Sequence, residues 1–361
     1  MLPGGSYYRG VATTYFNPEP KKRKEDFFDM KDEWNRLDLA LKKGKMAVVT
    51  GLRRYGKTSL MLTYLNETGN RYVYIDCKFL PPAVSLKSFM SFLEAGLSNV
   101  GWGRKLLEKV SLAEVSLGGL GLKFKNKEEE NLLRTLKALE GSVLVIDEAQ
   151  ILRNSAYRFD SLLAYIFDNL DIKLIISGSE VGLLYRFLKA DDPSAPLYGR
   201  AFSEIGIKPL PRDRAREFLA KGFEQEKVPV DERVLDEAVE NLDGIIGWLT
   251  YFGYSYVTGE ADVKRIYESA SKLAAEELKN ALKLYGEGEP RYREALKIVA
   301  TLRSASWSEI KRGIGARLGE ITDSKLSNIL KNLKDSGFII KDEKGYSVSD
   351  PVLARGILSY L

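Results

Sequence analysis

The segment Gly51-Leu52-Arg53-Arg54-Tyr55-Gly56-Lys57-Thr58-Ser59 has the residue types and spacing to hold a phosphorylated ligand. It fits the pattern G-x-x-x-x-G-K-[ST], in which successive backbone N–H groups curl around a phosphate. Glycines supply the positive φ angles that such a curl needs. In such a loop Lys57 reaches the β- and γ-phosphates and the Thr58 hydroxyl holds Mg2+. The helix opening at about Lys57 turns its positive dipole end toward the same anion. Gly51, Arg53, Arg54, Tyr55, Gly56, Lys57, Thr58 and Ser59 are therefore the candidate nucleotide-binding residues, with Lys57 also a candidate catalytic group.

About 90 residues downstream, the run Val143-Leu144-Val145-Ile146 ends in Asp147-Glu148. Asp147 is placed to organise Mg2+ and its waters, and Glu148 to orient and deprotonate an attacking water. The plainer alternative is an acidic pair that opens a helix at Ala149; behind a matched phosphate loop the catalytic reading is preferred. Ser177 and Ser179 close another apolar run, Ile172 to Ile176. Either is able to bond the γ-phosphate or the water, and an ordinary strand-to-helix turn explains them equally well. Arg200, in Pro196-Leu197-Tyr198-Gly199-Arg200, is a candidate for stabilising charge on the transferring phosphoryl group, from its own chain or a neighbour's. An arginine that merely pairs with a surface carboxylate is the competing view. A neighbour's arginine would require a homo-oligomer.

These residues need a scaffold of strands and helices. Met46-Ala47-Val48-Val49-Thr50 reads as a buried strand, and Leu60, Leu62 and Leu65 as part of the helix after the loop. Further strands are expected over Tyr72-Val73-Tyr74-Ile75-Asp76, within 142–150 as the four apolar residues ending in Asp147-Glu148, and over 172–179, with helices over 31–44, around Phe89 to Leu97, 128–140 and 156–169. Residues 110–124 alternate apolar and polar among glycines and predict a β-hairpin. The order strand, loop, helix, strand describes an α/β fold: a three-layer parallel sheet whose carboxyl edge meets the nucleotide. Pro209 and Pro211 mark a boundary, followed by helical spacing at Ala215, Phe218, Leu219 and Phe223 and by Gly244-Ile245-Ile246-Gly247-Trp248-Leu249. The expected organisation is a core over 1–208 with an N-terminal arm, a helical lid over 209–285, and a C-terminal unit over 286–361.

Composition narrows the function. The 361 residues are 44% hydrophobic and 29% charged, which is ordinary globular composition. With no histidine and one cysteine, Cys77, the chain has no disulfide framework, no Cys/His zinc site and no histidine triad. No apolar run reaches the roughly 18–20 residues that cross a bilayer, so a cytoplasmic protein without a membrane partner is expected. The basic run Lys21-Lys22-Arg23-Lys24 reads as a solvated loop. Residues 291–361 hold 13 Lys/Arg against 8 Asp/Glu, so the whole net charge of +5 lies there.

That last stretch reads as three helices and a hairpin. Tyr292 to Leu302 is the first helix; Ser306-Trp307-Ser308-Glu309 spells a capping box for the second. Thr322 or Asp323 caps a third, with Leu326, Ile329, Leu330 and Leu333 on one face. Phe338-Ile339-Ile340 and Tyr346-Ser347-Val348 flank a turn, completing a winged helix-turn-helix. Ser324, Lys325, Ser327, Asn328, Lys331 and Asn332 are expected to face outward; Lys325, Asn328, Lys331 and Asn332 are the candidate DNA contacts. Winged helices also dock proteins, so a protein partner is the alternative.

From about residue 16 onward, the chain resembles the archaeal ATPase family, AAA+-like P-loop proteins close to the STAND signalling NTPases. The resemblance is carried by Phe16-Asn17-Pro18, the loop Gly51 to Leu60, Val145-Ile146-Asp147-Glu148-Ala149-Gln150, Ile176-Ser177-Gly178-Ser179, Pro196 to Ala201, and Gly244 to Leu249. It implies an ATP-binding core, a helical lid and a winged helix. It also implies Walker B roles for Asp147 and Glu148, and the arginine-sensor position for Arg200. Met30 and Ile246 depart from that pattern, standing where arginine and proline are common, and Glu180 stands where serine is common. The expected activity is Mg2+-dependent ATP hydrolysis coupled to movement of the winged helix.

Overall fold

Five short apolar runs form one sheet: β1 (Met46–Thr50), β2 (Tyr72–Asp76), β3 (Ser142–Asp147), β4 (Ile172–Gly178) and β5 (Ser203–Gly206), in the order β2-β3-β4-β1-β5. All neighbours run parallel. The computed structural model describes residues 14–81, 83–112, 127–259 and 262–361. Every residue of β1 and β3 is buried, because helices cover both faces of the sheet.

Alternation along each strand divides the core in two. Met46 and Val48 of β1 join Leu144 and Ile146 of β3 on one face, where helices Leu86–Ser98 and Phe159–Asn169 cover them. Ala47, Val49, Val143, Val145 and Ile175 face the other way, onto helix Lys57–Glu67 through Leu60, Met61, Tyr64 and Leu65. This second core continues without a break into four helices, Arg212–Glu226, Glu232–Leu242, Ile246–Val257 and Val263–Leu282, and on into the C-terminal region. Phe16 of the N-terminal arm is inserted among them, against Phe218 and Phe223. The phosphate loop, the helices after Pro211 and the C-terminal unit thus share one apolar interior.

The C-terminal region contains helices Glu289–Leu302, Trp307–Leu318 and Asp323–Asp335, then β6 (Ile339–Lys341) paired antiparallel with β7 (Tyr346–Val348). Ser306 and Glu309 form the capping box, and Thr322 caps the third helix. A further helix, Pro351–Tyr360, is not anticipated by the sequence reading; it lies along Val263–Leu282, where Gly356 leaves no room for a Cβ beside the Ser271 carbonyl. The hairpin over 110–124 needs correction at its start: residues 110–112 end the helix Gly101–Leu112, and the remainder lies outside the described residues. Trp102 and Leu106, four apart on that helix, pack on the core, so the helical period prevails over the short alternation. Among the described residues, no helix is long and apolar enough to cross a membrane.

Candidate functional site

The site lies where the carboxyl ends of β1, β3 and β4 converge. After Thr50 the chain turns through Gly51 at φ 145° and Gly56 at φ 92° and enters helix Lys57–Glu67 with no side-chain cap. The first N–H groups of that helix are free of intrahelical partners and aim into the loop, which is the requirement for holding an anion. A side chain at Gly51 would meet the Ile207 carbonyl at 2.9 Å, so that glycine is required by space as well as by conformation.

Lys57 is buried and donates to the carbonyls of Gly51 (2.7 Å) and Leu52 (3.1 Å), bridging its own loop. Burial presses its ammonium down to about 8 against the pull of Glu148 and Asp147. Thr58 donates through Oγ1 to Asp147 Oδ2 at 2.9 Å. The Tyr74 hydroxyl donates to the same oxygen, while Ser177 Oγ and the Glu148 N–H (3.0 Å) donate to Oδ1. A hydroxyl and a carboxylate side by side are hard oxygen donors of the kind Mg2+ takes when phosphates and waters supply its other ligands. Thr58 and Asp147 therefore fit the ion expected from the sequence.

Glu148 adopts a left-handed backbone, φ 54°, at the start of the turn Ala149–Asn154. It does not cap that turn; its buried carboxylate instead accepts from Gln150 Nε2 (2.6 Å), Ser179 N–H (3.0 Å) and Ser179 Oγ (2.7 Å), all on Oε2. Lys78 Nζ stands 3.3 Å from Oε1. Burial alone would raise this carboxyl, but Lys57, Lys78 and the Gln150 and Ser179 hydrogen bonds outweigh it and bring it to about 2. Glu148 is thus an ionised acceptor fixed in one orientation, suited to aligning a water. Ser177 serves Asp147 and Ser179 serves Glu148, so the two serines divide the acidic pair between them.

The loop's other side chains are tied to neighbouring elements. Arg54 has φ 67°; its guanidinium stacks 3.9 Å over the Trp248 ring and bonds Glu277 Oε2 at 3.0 Å. Arg53 lies 3.8 Å from both Glu180 and Glu277. Tyr55 is buried against the C-terminal region, and Ser59 Oγ accepts the Lys21 N–H of the arm at 3.1 Å. Gly247 donates its N–H to the Arg54 carbonyl at 2.9 Å, and a Cβ there would come within 2.5 Å of Arg54 Cβ. A cleft of ≈ 660 Å³ opens between the arm (Pro18, Met30), the loop (Lys57, Thr58) and helix Ile246–Val257 (Tyr251), and Glu148 and Lys78 also line it. That volume is ample for a nucleotide.

Arg200 is elsewhere. Its Nε bonds Asp168 Oδ1 at 2.9 Å and its Nη1 donates to the Pro196 carbonyl. It precedes β5, whose Ser203 pairs with Ala47 near the start of β1, whereas the phosphate loop follows the end of β1. A strand of this length separates the two by about 15 Å. Within this chain the competing view of Arg200, a surface pairing, describes it. On helix Asp323–Asp335, Lys325, Asn328 and Lys331 are exposed, but Asn332 turns inward and donates to the Tyr292 hydroxyl at 2.7 Å. Position 332 adjoins Leu333 at the edge of the apolar stripe, so its amide meets the domain's own first helix.

Sequence reasoning missed Tyr74, Lys78, Glu277 and Asp350, and quoted Gln150 and Trp248 within motifs without giving them a role. Asp350 accepts the Trp248 Nε1–H at 2.7 Å and caps helix Pro351–Tyr360 through the Val352 N–H at 2.7 Å. Burial raises its carboxyl, with the Trp248 bond opposing. Asp350→Ala would orphan a buried indole N–H and uncap a helix together. It is expected to cost about 2–4 kcal/mol of stability, seen as a lower urea midpoint; Asp350→Asn, which keeps an acceptor, should lose less than half as much.

Residues 27–252 match a family described as an ATPase domain found predominantly in Archaea. Residues 287–349 match the C-terminal winged helix-turn-helix domain of MCM proteins. Among solved structures, a Walker-type ATPase of Pyrococcus abyssi aligns with a TM-score of 0.80 at 32% identity, covering 95% of this chain and 99% of that one. The RuvB Holliday junction branch migration motor of Thermotoga maritima aligns at 0.46 and 16% identity, over 91% of this chain and 95% of its own. Domain III of the Thermotoga maritima replication initiation protein DnaA aligns at 0.39 and 17%, over 69% and 95% respectively. Those last two scores are too low to bear on function. No curated protein matches the chain.

Proposed function

Because this chain belongs to the ATPase domain family found predominantly in Archaea, we propose that it is an ATP-driven switch whose nucleotide state is passed to a DNA-binding winged helix. Hydrolysis of ATP is the activity of the family. In this chain the reacting phosphates would lie along the loop Gly51 to Thr58, with Glu148 aligning the water and Asp147 and Thr58 holding Mg2+. When bound, the metal neutralises charge on the phosphates. Lys57 would bind the β- and γ-phosphates, exchanging its two carbonyl partners for phosphate oxygens. Ser177, Tyr74 and the Glu148 N–H keep Asp147 oriented, and Gln150 and Ser179 do the same for Glu148.

The observation that carries the switch is a continuous set of contacts from Arg54 in the loop, through Trp248, to Asp350 at the end of the winged helix. Arg53 and Arg54 share Glu277, on the helix that packs along Pro351–Tyr360. Anything that moves the phosphate loop bears on two elements that hold the C-terminal unit. Such a loop-to-lid arrangement makes gating, rather than chemistry, a natural limit on turnover.

DNA binding rests on the exposed Lys325, Asn328 and Lys331 and on the local positive charge. A second reading takes the winged helix as a protein-docking module; the other end of the same helix already packs on the core of this chain, where Asp335 pairs with Arg186 and Gly337 lies against Leu52. Anisotropy of a labelled duplex at several salt concentrations separates them. If DNA is the ligand, log affinity falls linearly with log salt. Lys325→Ala and Lys331→Ala should then each weaken binding to all sequences alike and reduce the slope by about 1. Absence of duplex binding at low salt supports the protein-docking reading instead.

A further inference from the structure

We infer that Lys78 is the cation that stabilises the transferring γ-phosphoryl group from within the same chain, the role that the sequence suggests for Arg200. The inference deepens the ATP-hydrolysing reading of this site and rests on it. Phosphoryl transfer is sped mainly by positive charge placed where charge develops on the equatorial and bridging oxygens. Lys57 provides one such charge at the base of the loop. The alternatives are otherwise engaged: Arg200 is held by Asp168 at the far end of the sheet, and Arg53, which also lines the cleft, stands between two carboxylates away from the attacking water, Glu180 and Glu277. Lys78 lines the same cleft as Lys57, Thr58 and Glu148.

The fold places Lys78 there by register. Asp76, the last residue of β2, is paired with Asp147, the last residue of β3. One residue beyond Asp147 stands Glu148, and two beyond Asp76 stands Lys78, so their side chains leave adjacent strand ends toward the same space. The backbone at Lys78 is fixed: Asp76 Oδ1 accepts the Lys78 N–H at 2.9 Å, and the wholly buried Cys77 anchors the short turn Cys77–Phe79. The side chain, by contrast, is half exposed. Its Nζ stands 3.3 Å from Glu148 Oε1, the oxygen opposite the one occupied by Gln150 and Ser179. A water aligned by Oε1 for attack on the γ-phosphorus therefore lies beside this ammonium. In the step, the water oxygen bonds to the γ-phosphorus as the bond to the β,γ-bridging oxygen breaks. ADP leaves with the bonding pair; one water proton stays on the phosphate product and the other passes by Glu148 to solvent. Lys78 donates to an equatorial γ-oxygen while that charge is redistributed.

The test compares the full chain with Lys78→Ala, Lys78→Arg and Arg200→Ala. It measures ATP turnover and the affinity for a fluorescent ADP with and without Mg2+ and aluminium fluoride, a mimic of the transferring group. Lys78→Ala should bind ADP within about threefold of wild type yet lose the fluoride-dependent tightening, with kcat down by about 10²–10³-fold. Lys78→Arg, which keeps the charge, should recover most of both. The inference is overturned if Lys78→Ala retains the tightening and turns over within a few-fold of wild type. It is equally overturned if Arg200→Ala alone abolishes both, in a manner that mixing with a second inactive variant restores. Wild-type turnover in the same assay stands for the site itself, so a wild type that hydrolyses ATP beside a Lys78→Ala variant that does so equally well counts against Lys78 only.

Discussion

Lys57→Ala is expected to abolish detectable ATP binding at micromolar nucleotide and, with it, turnover. The side chain is buried at the base of the phosphate loop and bonds the Gly51 and Leu52 carbonyls, so its charge is already desolvated and aimed at the cradle. Charge-assisted hydrogen bonds in such a setting contribute about 1.5–3 kcal/mol each, and Lys57 would make two to the nucleotide. The loss should therefore exceed 100-fold in affinity, by the usual 1.4 kcal/mol per tenfold. The same substitution removes the tie between the loop's ends, so calorimetric titration with ADP and ATP should be paired with a melting curve. A variant that melts normally and binds nucleotide with wild-type affinity would show that the phosphates lie elsewhere.

The phosphate loop and the acidic pair are the parts of the site most legible from sequence, because their constraints are local. Glycines at 51 and 56 are needed for positive φ, and an apolar run ending in Asp147-Glu148 is what a strand buried on both faces looks like where it emerges at the nucleotide. The arginine at 200 was ambiguous for a physical reason. Its partner, Asp168, lies 32 residues away on helix Phe159–Asn169, and no spacing rule joins them. Lys78 was hidden in the same way: it belongs to the site only because β2 pairs in register with β3. The helix Pro351–Tyr360 did carry a local signal, an Asp350 cap followed by Pro351 at the first turn. It is ten residues long, and its buried positions Val352, Leu353, Gly356 and Ile357 pack along Val263–Leu282, a long-range contact that its own sequence does not announce. The stretch over 110–124 shows the converse, since a brief alternation there is equally compatible with the helix that ends at Leu112.

Glu148→Gln is expected to separate binding from chemistry. The substitution preserves size and leaves Lys57, Thr58 and Asp147 in place, so ATP affinity should stay within a few-fold of wild type. What it removes is the negative charge that Gln150, Ser179 and Lys78 hold in one orientation. General acid–base catalysis and water alignment by such a group contribute about 10²–10⁴-fold. A glutamine carbonyl oxygen at the Oε2 position keeps the Gln150 and Ser179 donors satisfied, but its NH2 would face the Lys78 ammonium at the Oε1 position, so part of the loss would be misalignment. The measurement that bears most directly on the whole account is phosphate release from ATP by Glu148→Gln and wild type side by side, with ATP affinity determined on the same preparations. The account predicts matched affinity and a turnover reduced by at least about 100-fold. Equal turnover in the two proteins would contradict it, because hydrolysis would then proceed without the carboxylate around which this site is built.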